Sequence, residues 1–176
     1  LQNTLDAPLA ALGFKPSWHE FTSGLPLLEA LNLGNIDFSA DVADTVPVFA
    51  QAAGAQLTFV AQEAPSPTAQ AILVRSDSQL KSVSELKGKR GLSFADIEPA
   101  YLTPADGRAA FERGAIDAWV VWDPFLSAAQ KQAGARVLAD GTGLASYQRY
   151  YLASTRFAQA RPDVLGVIYS ELEKTG

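Results

Sequence analysis

"AFERGAIDAWVVWDPF", residues 110–125, repeats in outline a stretch eighty positions earlier, "ALNLGNIDFSADVADT", residues 30–45. Ala30, Leu31, Gly34, Ile36 and Asp37 answer Ala110, Phe111, Gly114, Ile116 and Asp117. In each copy an apolar helical pattern is stopped by glycine, followed by a short buried strand and then by a polar turn that opens another helix. The second helix of each copy also ends at a glycine, Gly54 and Gly134, and the offset is again eighty. No gap is needed between Leu31/Phe111 and Leu57/Val137. Such a match predicts two similar α/β units, and strands alternating with helices predict parallel sheets.

Outward from the repeat, the same grammar extends along the chain. Residues 2–12 read as the end of a helix stopped at Gly13, and "KPSWHEF" as a strand. "LPLLEALNL" is a helix, "NIDF" a short strand and "SADVADT" a loop into the helix "VPVFAQAA", with Asp44 as N-cap and Pro47 in the first turn. "QLTFVAQ" and "QAILVR" are strands separated by the proline-stiffened "EAPSPT". Ser82 and Glu85 form a capping box for "VSELK". "DIEPAYL" reads as an edge strand, given Pro99. Thr103, Pro104 and Asp106 supply N-cap, N1 and N3 of "PADGRAAFER". Asp123 and Pro124 open "PFLSAAQKQA", "ARVLA" and "RYYLA" are strands, and a last helix runs from about Pro162.

Composition narrows the chemistry. Of 176 residues, 48% are hydrophobic and 19% charged, so a packed core is expected. No apolar run reaches the roughly 20 residues of a membrane span. The chain starts at Leu1 and has no Met, which leads us to expect a chain whose targeting signal has been removed. It has no Cys, which rules out a disulfide framework, a zinc-thiolate centre and a cysteine nucleophile. The net charge is −5 and the basic residues are scattered, so nucleic-acid binding is not expected.

In open parallel sheets ligands bind beyond the carboxyl ends of the strands. The turns at 22–24, 39–45, 103–106, 122–124 and 140–143 are therefore the candidates. Several open helices, whose unpaired N–H groups and positive dipole ends favour an anion, and none carries a lysine or arginine. Catalytic patterns are thin. His19, the single histidine, lies within the "SWHEF" stretch, where a packed or half-exposed role outweighs that of a base. There is no Gly-x-Ser-x-Gly elbow, phosphate loop, dinucleotide glycine pattern or metal-ligand spacing. Asp123 reads equally as a helix cap or a ligand contact, and Trp122 as core or pocket wall.

In "LLEALNLGNIDF", "ADTVPVFAQAAGAQLTFVA", "PSPTAQAILV", "SVSELKGKR", "PADGRAAFERGAIDAWVVWDPF" and "GARVLADGTGL" the chain resembles the substrate-binding proteins of ABC importers for aliphatic sulfonates, within the group that includes nitrate and taurine receptors. The resemblance implies a two-lobed, periplasmic-binding-protein-like (type II) α/β fold with the ligand in a cleft between lobes and two hinge crossings, Gln70 to Val74 and Gln148 to Leu152. It places lobe 1 at 1–70 and 149–176 and lobe 2 at 71–148. It implies a small organic sulfonate or related anion as ligand, met by Ser23 and Gly24 and by Asp44 and Thr45, with Trp122 and Asp123 approaching from the other lobe. The expected partner is an importer permease. No cofactor, metal or nucleic acid is implied, and a monomer is expected, periplasmic or held outside the cell by an anchor.

Two departures from the family pattern stand out. The loop at 43–46 carries Ala43 and Val46 where the commoner form has Gly and Pro. A strand, turn and helix expected after "LKGKR" are absent from the sequence, which leads us to expect an interruption between Arg90 and Gly91; a first strand ahead of the opening helix is missing likewise. Rival readings are an enzyme on the same fold, of the menaquinone- or thiamine-pathway type, which would need His19 or Asp123 as acid or base, and the effector-sensing domain of a transcription regulator.

Overall fold

The computed structural model describes residues 4–43, 45–86 and 97–175. The expected interruption between Arg90 and Gly91 lies outside the described residues. The chain divides into two compact units: Leu1–Ala64 with Gln148–Gly176, and Pro65–Tyr147. The first unit holds α1 (Asp6–Ala10), α2 (Gly24–Leu33), β1 (Phe38–Ala43), α3 (Thr45–Ala52) and β2 (Leu57–Gln62). The second holds β3 (Gln70–Arg75), α4 (Val83–Leu86), α5 (Pro104–Glu112), β4 (Trp119–Trp122), α6 (Phe125–Gln132) and β5 (Ala135–Asp140). The chain then returns to the first unit with β6 (Arg149–Ser154), α7 (Thr155–Ala160) and α8 (Pro162–Thr175).

The repeat is real at the level of hydrogen bonds. After α2, Gly34 N–H donates to Leu31 O (3.1 Å) and Asn35 N–H to Ala30 O (2.9 Å). After α5, Gly114 N–H donates to Phe111 O (3.0 Å) and Ala115 N–H to Ala110 O (2.9 Å). Both glycines take positive φ, +77° and +69°, the left-handed turn that ends a helix without a Cβ penalty. α3 and α6 also start eighty residues apart, at Thr45 and Phe125.

The expectation of parallel sheets is corrected. Each unit has a three-stranded sheet, in the orders β1-β6-β2 and β4-β3-β5, and every pairing among the described residues is antiparallel. β1 and β2 do run the same way, as do β4 and β5. In each sheet, however, a reversed strand lies between them: β6 in the first, β3 in the second. The βαβ pattern was read correctly, but the strand between the two parallel ones is out of chain order: β6 joins the first sheet from beyond the second unit, and β3 comes from the start of its own unit.

Two further expectations change. "KPSWHEF" and "DIEPAYL" form no strand in residues 14–21 and 97–103. A strand exists only through ladder bonds to a neighbour, and no described strand pairs with either segment. Residues 14–21 are instead held partly by side chains: the Arg161 guanidinium sits 4.0 Å from the centre of the Phe14 ring. The strand read at "NIDF" begins later, at Phe38, and runs through "SADVA", which had been taken as loop. A bulge between Ser39 and Val42 lets this polar stretch pair with β6 while still burying Val42.

The core of each unit follows from these alternations. On β6, Tyr150 and Leu152 face Leu28, Leu31, Val42 and Leu57, while Tyr151 faces Leu5, Leu9, Val164 and Ile168 on the other side. The second unit packs Ala71, Leu73, Phe111, Trp119, Val121, Leu126 and Ala129 into one cluster. α5 is capped as its sequence predicts: Asp106 N–H donates to Thr103 Oγ1 (3.3 Å), and that hydroxyl donates to Asp106 Oδ2 (2.7 Å). Thr103→Ala should lower stability by about 0.5–2 kcal/mol in denaturant unfolding, the usual worth of a cap; an unchanged midpoint would mean the cap contributes nothing.

Candidate functional site

In the first unit, β1 runs toward the start of α3, so its carboxyl end is where a ligand would be met. α2 starts at the same place. A methyl group added to Gly24 would lie 3.3 Å from Val42 Cγ1, on β1, and 4.0 Å from Val46 Cγ1, on α3. Glycine at 24 thus lets the start of α2 close on the end of β1 and the start of α3. Ser23 is extended (φ −165°, ψ 172°) and its side chain makes no capping bond, unlike Thr103 and Ser154, whose hydroxyls accept from a helix N–H. Thr45 is the exposed first residue of α3. Two helix starts, of ten and eight residues, therefore stand side by side with the hydroxyls of Ser23 and Thr45. Asp44 lies outside the described residues.

Between Pro16 and Val74 the chain contains no lysine or arginine. A cation does reach this edge from elsewhere: Arg149 opens β6 opposite Ala43. It is ion-paired with Glu63, whose other carboxylate oxygen accepts from Tyr151 Oη (2.7 Å) and whose N–H donates to Arg149 O (2.9 Å). Its charge is balanced within the unit. An anion placed here would therefore meet chiefly dipoles, N–H groups and hydroxyls.

In the second unit, the carboxyl ends of β4 and β5 carry Trp122–Asp123 and the turn after Asp140. Trp122 is 37% exposed and meets Phe125 edge to face, centroids 6.2 Å apart. Asp123 Oδ1 accepts from Ser127 N–H (3.0 Å) and from Ser127 Oγ (2.6 Å), which caps α6. The peptide between Asp123 and Pro124 is cis. After β5, Thr142 N–H donates to Asp140 Oδ1 (2.8 Å), which holds that carboxyl below its ordinary range. Because asparagine presents the same oxygen, Asp123→Asn should leave stability within about 0.5 kcal/mol of the parent. If Asp123 also met a ligand amine, the same change should weaken amino-sulfonates much more than simple alkanesulfonates. Calorimetry on both ligand types separates these outcomes, and equal losses would contradict an amine contact.

Of the residues singled out in the sequence, Ser23, Gly24 and Thr45 gather at one edge of the first unit, and Trp122 and Asp123 are adjacent in the second. His19 is exposed, 3.4 Å from Ser17 Oγ, in the segment that forms no strand. His19 lines a cavity of about 360 Å3 together with Phe14, Trp18, Phe38 and Phe157. It borders the amino half of β1, with Ser39 and Ala40 of the 39–45 stretch on its wall, and neither Gly24 nor Thr45, at the two helix starts, is among the residues that line it. Among the described residues no group of three or more His, Cys, Asp or Glu is placed to hold a metal, and no helix is long and apolar enough to cross a membrane. No local pattern pointed to Ser127, Glu63 or Arg149. The first lies inside a helical run, and the other two meet only because β6 returns beside β2.

No protein-family model matches the chain. It is 47% identical over 165 residues to a putative aliphatic sulfonates-binding protein of Escherichia coli strain K12, covering 82% of this chain and 51% of that protein. It resembles the crystal structure of the periplasmic aliphatic sulphonate binding protein SsuA from Escherichia coli, with 40% identity and a TM-score of 0.75, over 97% of this chain and 68% of that one. It also resembles the alkanesulfonate-binding protein SsuA from Xanthomonas axonopodis pv. citri bound to MOPS, with 40% identity and a TM-score of 0.84, over 94% of this chain and 63% of that one. The chain spans about half the length of the curated relatives it matches.

Proposed function

We infer the function from one premise: this chain belongs to the family of aliphatic sulfonate-binding proteins and has their two-lobed α/β fold. On that premise it is a solute-binding receptor, not an enzyme. It captures an aliphatic sulfonate or a related oxyanion for an ABC importer, in the periplasm, and hands it to a membrane permease. The menaquinone- or thiamine-pathway type of enzyme is not favoured, because the close relatives are binding proteins. Residues 1–70 with 149–176, and residues 71–148, would act as the two lobes, and the protein would work as a monomer.

The observation that carries this reading is the convergence of two helix starts at Ser23, Gly24 and Thr45 in a stretch without lysine or arginine. A sulfonate is a weak base with three acceptor oxygens and one spread charge. It suits several neutral donors and a positive dipole end better than it needs a full counter-charge. Such a site also discriminates, because each buried donor left unfilled by a poorer acceptor is costly. Trp122, exposed at the end of β4, would pack against an apolar tail, and Asp123 would stand beside it.

Native mass spectrometry of the freshly purified chain tests the proposal. A retained adduct with the mass of an organic sulfonate, lost on dialysis and restored by adding ethanesulfonate, is the expected result. A chain that takes up none of a panel of alkanesulfonates would overturn the reading.

A further inference from the structure

We propose that Gln70 is a further ligand-contacting residue, whose carboxamide N–H donates to a sulfonate oxygen. This rests on the functional reading above. β3 is the reversed central strand of its sheet, so its first residue, Gln70, stands at the carboxyl ends of both neighbours, β4 and β5. That is the edge at which strand ends present ligand-binding turns. Gln70 is in register with Trp122, the last residue of β4, so the two side chains share one face of the sheet. On the other flank, Ala71 is in register with Asp140, the last residue of β5.

The local packing aims the carboxamide along this edge. Gly141 N–H donates to Pro67 O (3.0 Å), and Asp123 N–H donates to Ala69 O (2.9 Å), so the backbone just before Gln70 is tied to both strand ends. A methyl group added to Gly141 would lie 2.7 Å from Pro67 O, 3.0 Å from Ala145 O and 3.4 Å from Gln70 Nε2. The amide nitrogen of Gln70 thus rests over the turn after β5, while its Cα sits opposite Trp122. Gln70 is half-buried, and among the described residues its side chain makes no hydrogen bond that the structure shows. A half-buried carboxamide without a protein partner, set between these two turns, has N–H groups free to donate to an arriving anion. Asp123 and Asp140 on either side are acceptors only and cannot receive a sulfonate themselves; Gln70 supplies a neutral donor between them.

The test is calorimetry with ethanesulfonate on the parent and on Gln70→Leu and Gln70→Glu. Both side chains are close to glutamine in length, and thermal unfolding of each variant checks that the fold is kept. The expected result is a loss of roughly 10-fold or more for Gln70→Leu, the usual worth of a hydrogen bond to a charged group. A larger loss is expected for Gln70→Glu, which removes the donor and adds a like charge, with unfolding temperatures near the parent's. Parent-like affinity in both variants would overturn the assignment of Gln70 and leave the receptor reading standing. A parent that binds no sulfonate would overturn both.

Discussion

Phe111→Ala will lower the unfolding free energy by about 3–5 kcal/mol, the upper range for deleting a buried aromatic ring. Phe111 is fully buried, the largest side chain so enclosed among the described residues, and its ring centre lies 5.9 Å from that of Trp119. The cost stays high because the site cannot collapse. Ala71 and Ala129, in the same cluster, are too small to fill the space. Trp119 is wedged against Gly107, where even a methyl group would meet its Nε1 at 2.7 Å. Denaturant unfolding of parent and variant measures the difference; a loss below about 1 kcal/mol would mean the cluster is looser than the structure describes.

Ser23→Ala combined with Thr45→Ala will weaken sulfonate binding by about 1–3 kcal/mol in total, roughly 5- to 150-fold, as expected for lost hydrogen bonds to a charged group. The Ser23 side chain makes no capping bond and Thr45 is exposed, so neither hydroxyl is known to hold up its helix. The loss should therefore fall on affinity and leave stability nearly unchanged. The contrast with Thr103 is informative, since that hydroxyl caps α5 and its removal should cost stability. Unchanged affinity in the double variant would remove both residues from the site.

The repeat at an offset of eighty was legible because it depends on local signals: glycines that must turn left-handed, apolar faces of period 3.6 and paired helix starts. Gly34 and Gly114 make the same two hydrogen bonds, residue for residue. Sheet order was not legible, because Arg149–Ser154 slots between β1 and β2 from over eighty residues away, and no local pattern announces that. The same gap explains the failed strands at 14–21 and 97–103. Their composition suits a strand, but composition supplies no ladder partner. Within the candidate site, Ser23, Gly24 and Thr45 could be read from helix-start chemistry. Gln70, Arg149 and Glu63 could not, because they owe their positions to the reversed strands and to pairing across the sheet.

Binding of an aliphatic sulfonate through neutral donors and helix dipoles is what we propose for this chain. Isothermal titration of ethanesulfonate at two ionic strengths, with propionate as a carboxylate control, tests it most directly. The expected result is saturable one-to-one binding of the sulfonate, little or no binding of propionate, and an affinity that changes only slightly as salt screens surface charge. No saturable heat with the sulfonate would contradict the claim outright. An affinity that collapses with salt would replace neutral donors with a cationic site.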